Sequence, residues 1–211
     1  MAIQDIFNAV LHFEEDTVAD LVKAELKAGL SVDVVLNEGL IHAMDEVGRL
    51  FGEGELFVPE MLMAAQTMKN GLEVVKPLLG ASVSRSKGTV VIGTVKGDLH
   101  DIGKNLVAAM LEGGGFEVVD LGVDVTPERF VTSAASDQVG VIALSALLTT
   151  TMTTMKQVVA GLEKAGLRDR VKVMVGGAPV TQRYADEIGA DGFADSAASA
   201  VPLARRLVGA A

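Results

Sequence analysis

The sequence of 211 residues contains no cysteine, and aromatic residues make up only 4% of it. The absence of cysteine excludes disulfides, iron–sulfur clusters, thiolate metal sites and a cysteine nucleophile. Any metal must therefore be held by histidine, by carboxylates or by a prosthetic group. The scarcity of aromatic residues argues against base-stacking platforms for single-stranded nucleic acid.

Long apolar runs and an excess of positive charge are also missing. No apolar run reaches the roughly 18 residues that span a bilayer, and the first ten residues contain Asp5 and no basic region. The net charge is −10, whereas binding to nucleic acid or to an anionic membrane requires clustered lysine and arginine. We therefore expect a folded, cytoplasmic protein that binds neither nucleic acid nor a membrane.

Apolar residues in the first 80 positions recur at helical spacing, with polar residues between them. Gly29 is a stop signal, Ser31 can cap the next helix, and Pro59 suits the first turn of another. The predicted helices are residues 2–13, 17–28, 32–51 and a last one from Pro59 to about residue 80. Four antiparallel helices with short loops predict a small bundle, the cap domain of residues 1–80.

A short polar segment, residues 81–88, is predicted to be a linker, and the pattern changes after it. Strands are predicted at residues 89–95, 116–121, 139–144, 171–175 and 192–194, with helices at 103–112, 127–136, 151–165, 181–188 and 197–208. Five strand-then-helix units predict an α/β domain at 89–211 with a flavodoxin-like, doubly wound (Rossmann-like) parallel sheet. In such a fold the ligand binds at the carboxyl ends of the strands.

The first strand ends in the segment TVKGDLHDIGKN, residues 94–105. Asp98 and His100 point the same way on an extended segment, so the carboxylate can hydrogen-bond one imidazole nitrogen and leave the other free for a metal. Gly103 leaves room for a ligand between this loop and the following helix. An isolated Asp-x-His motif is more often a histidine on a surface loop near a chance acid. The residues at the other strand ends therefore decide between this interpretation and a metal-binding histidine.

Polar and small residues also follow the other strands. Ser145, Leu147 and Thr149 follow the third strand, where hydroxyls are commonly helix caps. The fourth strand ends in a glycine pair, which suits either an ordinary turn or the close approach of a bulky planar group. These strand-end residues are Gly176, Gly177 and Ala178, with Ala194 and Asp195 after the fifth strand.

Together these residues resemble the cobalamin-binding module, whose motif is Asp-x-His-x-x-Gly, then Ser-x-Leu, then Gly-Gly at successive strand ends. The matching residues are Asp98, His100 and Gly103, then Ser145 and Leu147, then Gly176 and Gly177. The preceding helices, with Phe57-Val58-Pro59-Glu60 and Ala64-Ala65, resemble the helical cap of methionine synthase and of the small corrinoid proteins of methanol, methylamine and aryl-ether methyltransferase systems. The likeness covers essentially the whole chain and leaves nothing over for a substrate-binding barrel.

This resemblance implies a cobalamin or related corrinoid whose own base is displaced from cobalt and whose nucleotide tail lies in the α/β domain. His100 would be the axial cobalt ligand, and Asp98 its partner in the functional pair. The implied cofactor contacts are Gly97, Asp98, Leu99, His100, Asp101, Ile102, Gly103, Ser145, Leu147, Thr149, Gly176, Gly177, Ala178, Ala194 and Asp195, with Phe57, Glu60 and Met61 in the cap.

The implied function is to carry a methyl group on cobalt, cycling between Co(I) and methyl-Co(III), without catalysing a reaction alone. Its partners would be a substrate-specific methyltransferase, a second methyltransferase with a folate or thiol acceptor, and a reductive activase. Two cobalamin alternatives remain: a subunit of an adenosylcobalamin mutase, which is not expected to carry the cap, and a cobalamin sensor, which usually has a DNA-binding segment. A phosphorelay receiver domain needs aspartate where this chain has Ser145.

Overall fold

The computed structural model describes residues 2–78 and 88–209. Within these ranges it describes every side chain except that of Ala2. By their contacts these residues form two compact units: a helical unit, which contains the residues up to 78 together with Glu112–Gly115, and an α/β unit, which contains the rest. Most of the predicted linker, residues 81–87, lies outside the described residues. The proposed boundary at 81–88 therefore stays a prediction.

The helical unit has helices at the four predicted places. They are α1 (Ala2–Leu11), α2 (Glu15–Lys27), a third helical run made of α3 (Val32–Val34), a π-helical stretch (Val35–Ile41) and α4 (His42–Glu53), and α5 (Val58–Val75) with a 3-10 turn (Lys76–Leu78). The π-helical stretch is a feature that helical periodicity does not predict. This arrangement confirms the predicted N-terminal helical region.

The helix ends follow the sequence signals. The Ser31 hydroxyl accepts a hydrogen bond from the Val34 N–H at 3.3 Å, and this capping starts α3. Gly54, with a left-handed φ of 78°, ends α4, and Pro59 lies in the first turn of α5. Buried apolar side chains such as Met61 form the core of the unit.

The α/β unit contains a five-stranded parallel sheet of β1 (Thr89–Thr94), β2 (Glu117–Asp120), β3 (Val139–Ser145), β4 (Lys172–Gly176) and β5 (Gly192–Ala194). The strand order is β2-β1-β3-β4-β5, so the predicted flavodoxin-like fold class is confirmed. The helices are α6 (Ile102–Gly113), α7 (Pro127–Ala134), α8 (Thr153–Lys164), α9 (Gln182–Ile188) and α10 (Ala197–Leu207). The order reverses between β1 and β3, which makes their carboxyl ends the switch point where such sheets bind ligands.

Hydrophobic packing explains why the strands are continuous apolar runs. All six residues of β1 are buried, as expected for a parallel sheet covered on both faces. On one face, the register partners Val91, Ile142 and Val173 belong to an apolar cluster that also contains Phe130 of α7 and Val158 of α8. Within residues 2–78 and 88–209, no helix is long and apolar enough to cross a membrane.

Candidate functional site

The last residues of four neighbouring strands meet at one edge of the sheet. Thr94 pairs in register with Ser145, Ser145 with Gly176, and Gly176 with Ala194. The structure thus brings three of the predicted site residues into one row, because parallel strands end at the same edge.

Asp98, in the loop after β1, is fully buried and accepts hydrogen bonds from five groups. Its Oδ1 accepts from the His100 N–H at 3.1 Å and from His100 Nδ1 at 2.7 Å. Its Oδ2 accepts from the Leu147 N–H at 2.8 Å, the Leu148 N–H at 3.3 Å and the Thr151 hydroxyl at 2.9 Å. The carboxylate therefore joins the loop after β1 to the loop after β3.

These hydrogen bonds determine the charge of Asp98. Burial by itself raises the pKa of a carboxyl group, because it removes water from the anion. Hydrogen bonds from the Leu147 N–H, from the His100 ring and N–H and from the Thr151 hydroxyl outweigh this effect and hold the pKa of Asp98 well below its ordinary value. Asp98 is therefore a buried anion at neutral pH.

Only one ring nitrogen of His100 is engaged by Asp98. An ionised carboxylate can only accept hydrogen bonds, so Nδ1 of His100 carries the proton that it shares with Asp98. The remaining nitrogen, Nε2, then has a free lone pair on a side chain that is 53% exposed. No group of the described chain hydrogen-bonds to this nitrogen.

The described residues around His100 offer a single imidazole as a possible metal ligand. Among the described residues, no cluster of three or more histidine, cysteine, aspartate or glutamate side chains could hold a metal ion. A single imidazole is too few ligands for a bare ion, which normally takes at least three from the protein. The main chain of His100 is fixed by the buried Thr94, whose hydroxyl donates to the His100 carbonyl at 2.8 Å.

Large apolar side chains beside His100 are unusually exposed. Leu99 is 73% and Ile102 75% exposed, and Leu147 and Leu148 are each 42% exposed. Exposed apolar residues in a group commonly mark a binding surface. These four side chains lie at the ends of β1 and β3, where Asp98 joins the two loops.

A cavity of about 290 Å³ opens at the same edge of the sheet. Its walls come from β1, β3, β4 and β5 and from the starts of α6 and α10; its lining includes the predicted residues Gly103, Ser145, Gly176, Gly177, Ala178, Ala194 and Asp195. The register partners Ile92, Ala143 and Met174 also line it, two residues before the strand ends, so this part of the wall is apolar.

Two glycines at the cavity have different physical roles. A Cβ added to Gly103 would meet no atom within 4 Å, so the protein itself leaves that space open. At Gly177, φ is 123° and an added Cβ would lie 1.9 Å from the Ala146 carbonyl oxygen. Gly103 thus leaves room for a ligand, whereas Gly177 is required by the backbone.

Within the described part of the chain, other predicted site residues make no side-chain hydrogen bond to Asp98 or His100 and do not line the cavity. Leu147 contributes its backbone N–H, and Thr149 is exposed and does not line the cavity. In the helical unit, the Glu60 carboxylate accepts the Phe57 N–H at 2.8 Å and so caps α5, and Met61 is fully buried. Phe57 is 66% exposed, and a cofactor role for these three cap residues stays a prediction.

Sequence reasoning missed two residues. Thr151 makes the hydroxyl contact with Asp98, and Lys104, only 2% exposed, forms an ion pair with Asp120 and donates to the Asn105 side chain at 2.6 Å. The run of three threonines at 149–151 signalled a polar strand end but not which hydroxyl turns inward. A lysine in the first turn of a helix gave no sign of burial.

The fold is that of an α/β ligand-binding protein, with one exposed imidazole in the loop after β1 and a cavity at the same edge of the sheet. Family models described as the B12 binding domain match residues 88–203 and 2–76. The chain therefore belongs to the family of B12-binding proteins, and the predicted cofactor, cobalamin or a related corrinoid, is confirmed at this level.

Similar proteins carry related names. The chain is 47% identical over 196 residues to trimethylamine corrinoid protein 2 of Methanosarcina mazei, covering 92% of this chain and 90% of that protein. It is 44% identical over 207 residues to the dimethylamine corrinoid protein of Methanosarcina barkeri, covering 98% and 97%. Among solved structures, the methanol:cobalamin methyltransferase complex MtaBC from Methanosarcina barkeri matches with a TM-score of 0.87 and 34% identity, covering 100% of this chain and 80% of that one. The resemblance to corrinoid proteins of methyltransferase systems is thereby confirmed.

Proposed function

We propose that this protein carries a methyl group on the cobalt of a bound corrinoid from a substrate-specific methyltransferase to a second methyltransferase. The observation that carries the proposal is the orientation of His100. The buried Asp98 holds its Nδ1 at 2.7 Å, and this leaves Nε2, on a side chain that is 53% exposed, as the potential axial ligand. Displacement of the cofactor's own base by His100 follows from this assignment.

The residues present fit such a cofactor. The exposed Leu99 and Ile102 would lie against the ring, and the nucleotide tail would enter the cavity beside Gly103 and Ser145. When bound, the corrinoid supplies a cobalt centre that accepts a methyl group in its reduced state and releases it to an acceptor. The protein supplies the axial imidazole, the orientation of the ring and the fixed charge of Asp98.

The Asp98–His100 pair assigns one nitrogen to each role. With Nδ1 donating its proton to Asp98, Nε2 would be the nitrogen that holds the cobalt of a bound corrinoid.

The proposed partners follow from the relatives and from charge. The relatives' names point to methylamines and methanol as methyl donors, each handled by a separate methyltransferase. Residues 1–80 contain 14 acidic and 5 basic side chains, a net charge of −9, which favours encounter with a basic docking surface. A folate or thiol acceptor, a reductive activase and a cytoplasmic location complete the proposal.

Electron paramagnetic resonance of the Co(II) protein tests the axial ligand. The chain has three histidines, His12, His42 and His100, so histidine labelled with nitrogen-15 introduces few candidates. We expect superhyperfine coupling from the label, its loss in His100→Ala, and its retention in the control variants His12→Ala and His42→Ala. Coupling that persists in His100→Ala would exclude His100 as the ligand.

Stopped-flow absorbance tests the carrier function. The reduced protein, mixed with methyltransferases encoded beside its gene, should accept one methyl group per cofactor and deliver it to the second enzyme. If none of these enzymes methylates it, but adenosylcobalamin supports a radical rearrangement with another subunit, the protein is a mutase subunit. Binding of cobalamin without either activity would indicate a sensor.

A further inference from the structure

Asp124, in the loop between β2 and α7, contacts the loop that carries His100 at two points. Its Oδ1 accepts a hydrogen bond from the Gly97 N–H at 2.7 Å. Its own backbone N–H donates to the Asp98 carbonyl oxygen at 3.0 Å. The main chain immediately before His100 is thus held from both sides by one residue of a neighbouring loop.

The backbone conformation of Asp124 is unusual. Its φ is 53°, in the left-handed region that costs a residue with a side chain roughly 1 kcal/mol. Aspartate and asparagine tolerate this region better than other residues, but glycine adopts it with the least strain. Because Asp124 is exposed, packing does not explain why a carboxylate stands here. The contact with Gly97 does.

The loop does not depend on the Asp124 side chain for its own position. The backbone of the loop continues the pairing with β1. The Leu121 N–H donates to the Ile92 carbonyl oxygen at 2.8 Å, and the Val125 N–H donates to the Thr94 carbonyl oxygen at 3.0 Å. Thr94 N–H in turn donates to Gly122 at 2.9 Å. Removal of the Asp124 carboxylate should therefore leave the Gly97 N–H without its acceptor while the loop keeps its place.

We infer that Asp124 is a positioning residue for the axial ligand. By fixing the main chain at Gly97 and Asp98, it directs the Asp98 carboxylate at Nδ1 of His100 and so leaves Nε2 as the nitrogen that can bind a metal. Gly97 itself has a φ of 84° and no side chain, so its position depends on its backbone contacts. This inference rests on the proposed role of His100 as the cobalt ligand.

Two substitutions at Asp124 distinguish the effect of its carboxylate from the effect of its backbone conformation. Asp124→Gly retains the left-handed conformation and the backbone N–H but removes the acceptor for Gly97. Asp124→Asn retains both the conformation and an acceptor oxygen, so it is the matched control. The first readout is the nitrogen-15 NMR spectrum of the His100 ring in cofactor-free protein, assigned by its loss in His100→Ala.

The spectra of the wild type and of Asp124→Asn should show one tautomer, protonated at Nδ1, and Asp124→Gly should show a mixture of both. The second readout is the ratio of histidine-on to histidine-off Co(II) protein, measured by electron paramagnetic resonance with cob(II)alamin. It should fall about fivefold in Asp124→Gly, the factor that corresponds to one ordinary hydrogen bond, and stay near the wild-type value in Asp124→Asn.

The outcomes distinguish this inference from the proposed function. An unchanged tautomer and an unchanged ratio in Asp124→Gly would overturn the positioning role, as would an equal loss in the Gly and Asn variants. If the wild-type protein shows no histidine coupling to cobalt, the proposed ligand is wrong, while the tautomer measurement on cofactor-free protein still decides whether Asp124 orients His100. Thermal unfolding of the Gly variant close to that of wild type is the expected control.

Discussion

Each of the five groups in the described part of the chain that hydrogen-bond to the Asp98 side chain is a donor. Backbone N–H groups reach both carboxylate oxygens: that of His100 reaches Oδ1, and that of Leu147 reaches Oδ2. An amide at this position would place an N–H₂ group against a backbone N–H, whichever way it is turned. Asp98 therefore stabilises the fold and orients His100 through the same contacts.

We predict that Asp98→Asn is destabilised by about 2–3 kcal/mol at neutral pH, because at least one buried donor loses its acceptor. The folded-state pKa of Asp98 is depressed, so its stabilising contribution is present above the pKa of an unfolded aspartate, about 3.9, and is lost as the pH falls toward the folded value. Urea unfolding from pH 3 to 8 measures this. The difference from wild type should be constant above about pH 5 and shrink below pH 4.

The control for this prediction is Asp101→Asn, a neighbouring exposed aspartate, which should remain close to wild type. A difference between Asp98→Asn and wild type that grows on acidification would contradict the depressed pKa of Asp98.

Thr151 supplies the only side-chain hydroxyl that contacts Asp98 within the described residues. A hydroxyl has one proton, and the carboxylate is a stronger acceptor than the alternative, the Leu148 carbonyl at 2.8 Å. We predict that Thr151→Val loses about 1.5–3 kcal/mol of unfolding free energy, whereas Thr151→Ser stays within about 1 kcal/mol of wild type. Denaturant unfolding of the two variants measures the contrast. Equal losses would assign the effect to packing.

At the scale of elements, the first turn of α6 both begins the helix and lines the cavity. Gly103 lies in the first turn of α6, where glycine is about 1 kcal/mol less favourable than alanine. We predict that Gly103→Leu leaves the cofactor-free protein as stable or slightly more stable, but weakens corrinoid binding at least about tenfold, since the side chain fills space that the cofactor needs. Thermal unfolding and titration with cobalamin measure the two effects. Unchanged affinity would place the cofactor elsewhere.

The turn after β4 should respond in the opposite way. At Gly177 an added methyl group clashes with the Ala146 carbonyl and the backbone conformation disfavours a side chain. Gly177→Ala should therefore destabilise the cofactor-free protein by about 2–4 kcal/mol. Thermal unfolding without cofactor checks this value. A Gly177→Ala variant that is stable and fails only to bind cobalamin would assign Gly177 to the cofactor instead of the turn.

At the scale of the whole molecule, the residues that form the His100 site and the cavity all belong to the α/β unit. We predict that a fragment of residues 86–211 folds and binds a corrinoid in the base-off, histidine-on form, with the upper face of the ring more open to solvent. Circular dichroism and the cobalamin absorption spectrum are the measurements. A folded fragment without cobalamin binding would show that the helical unit is needed for the site.

The sequence alone determined the fold class and the central pair. The spacing of apolar residues distinguishes the helical region from the strand–helix repeats, and it can be seen within each segment of the sequence by itself. Asp98 and His100 are two residues apart, so their contact needs only an extended loop. The family motif added the cofactor, and the strand ends at Ser145 and Gly176 were predicted because parallel strands share one edge.

Tertiary structure alone decided which other residues meet that pair. Asp98 is 53 residues from Thr151, and Gly97 is 27 from Asp124. Lys104 is buried against Asp120, 16 residues away. Such contacts depend on the register of β1 with its neighbours and on the turn taken after each strand, which selects Thr151 and not Thr149 to face Asp98. Spacing along the chain does not encode that choice, because it results from the packing of the loops on a completed sheet.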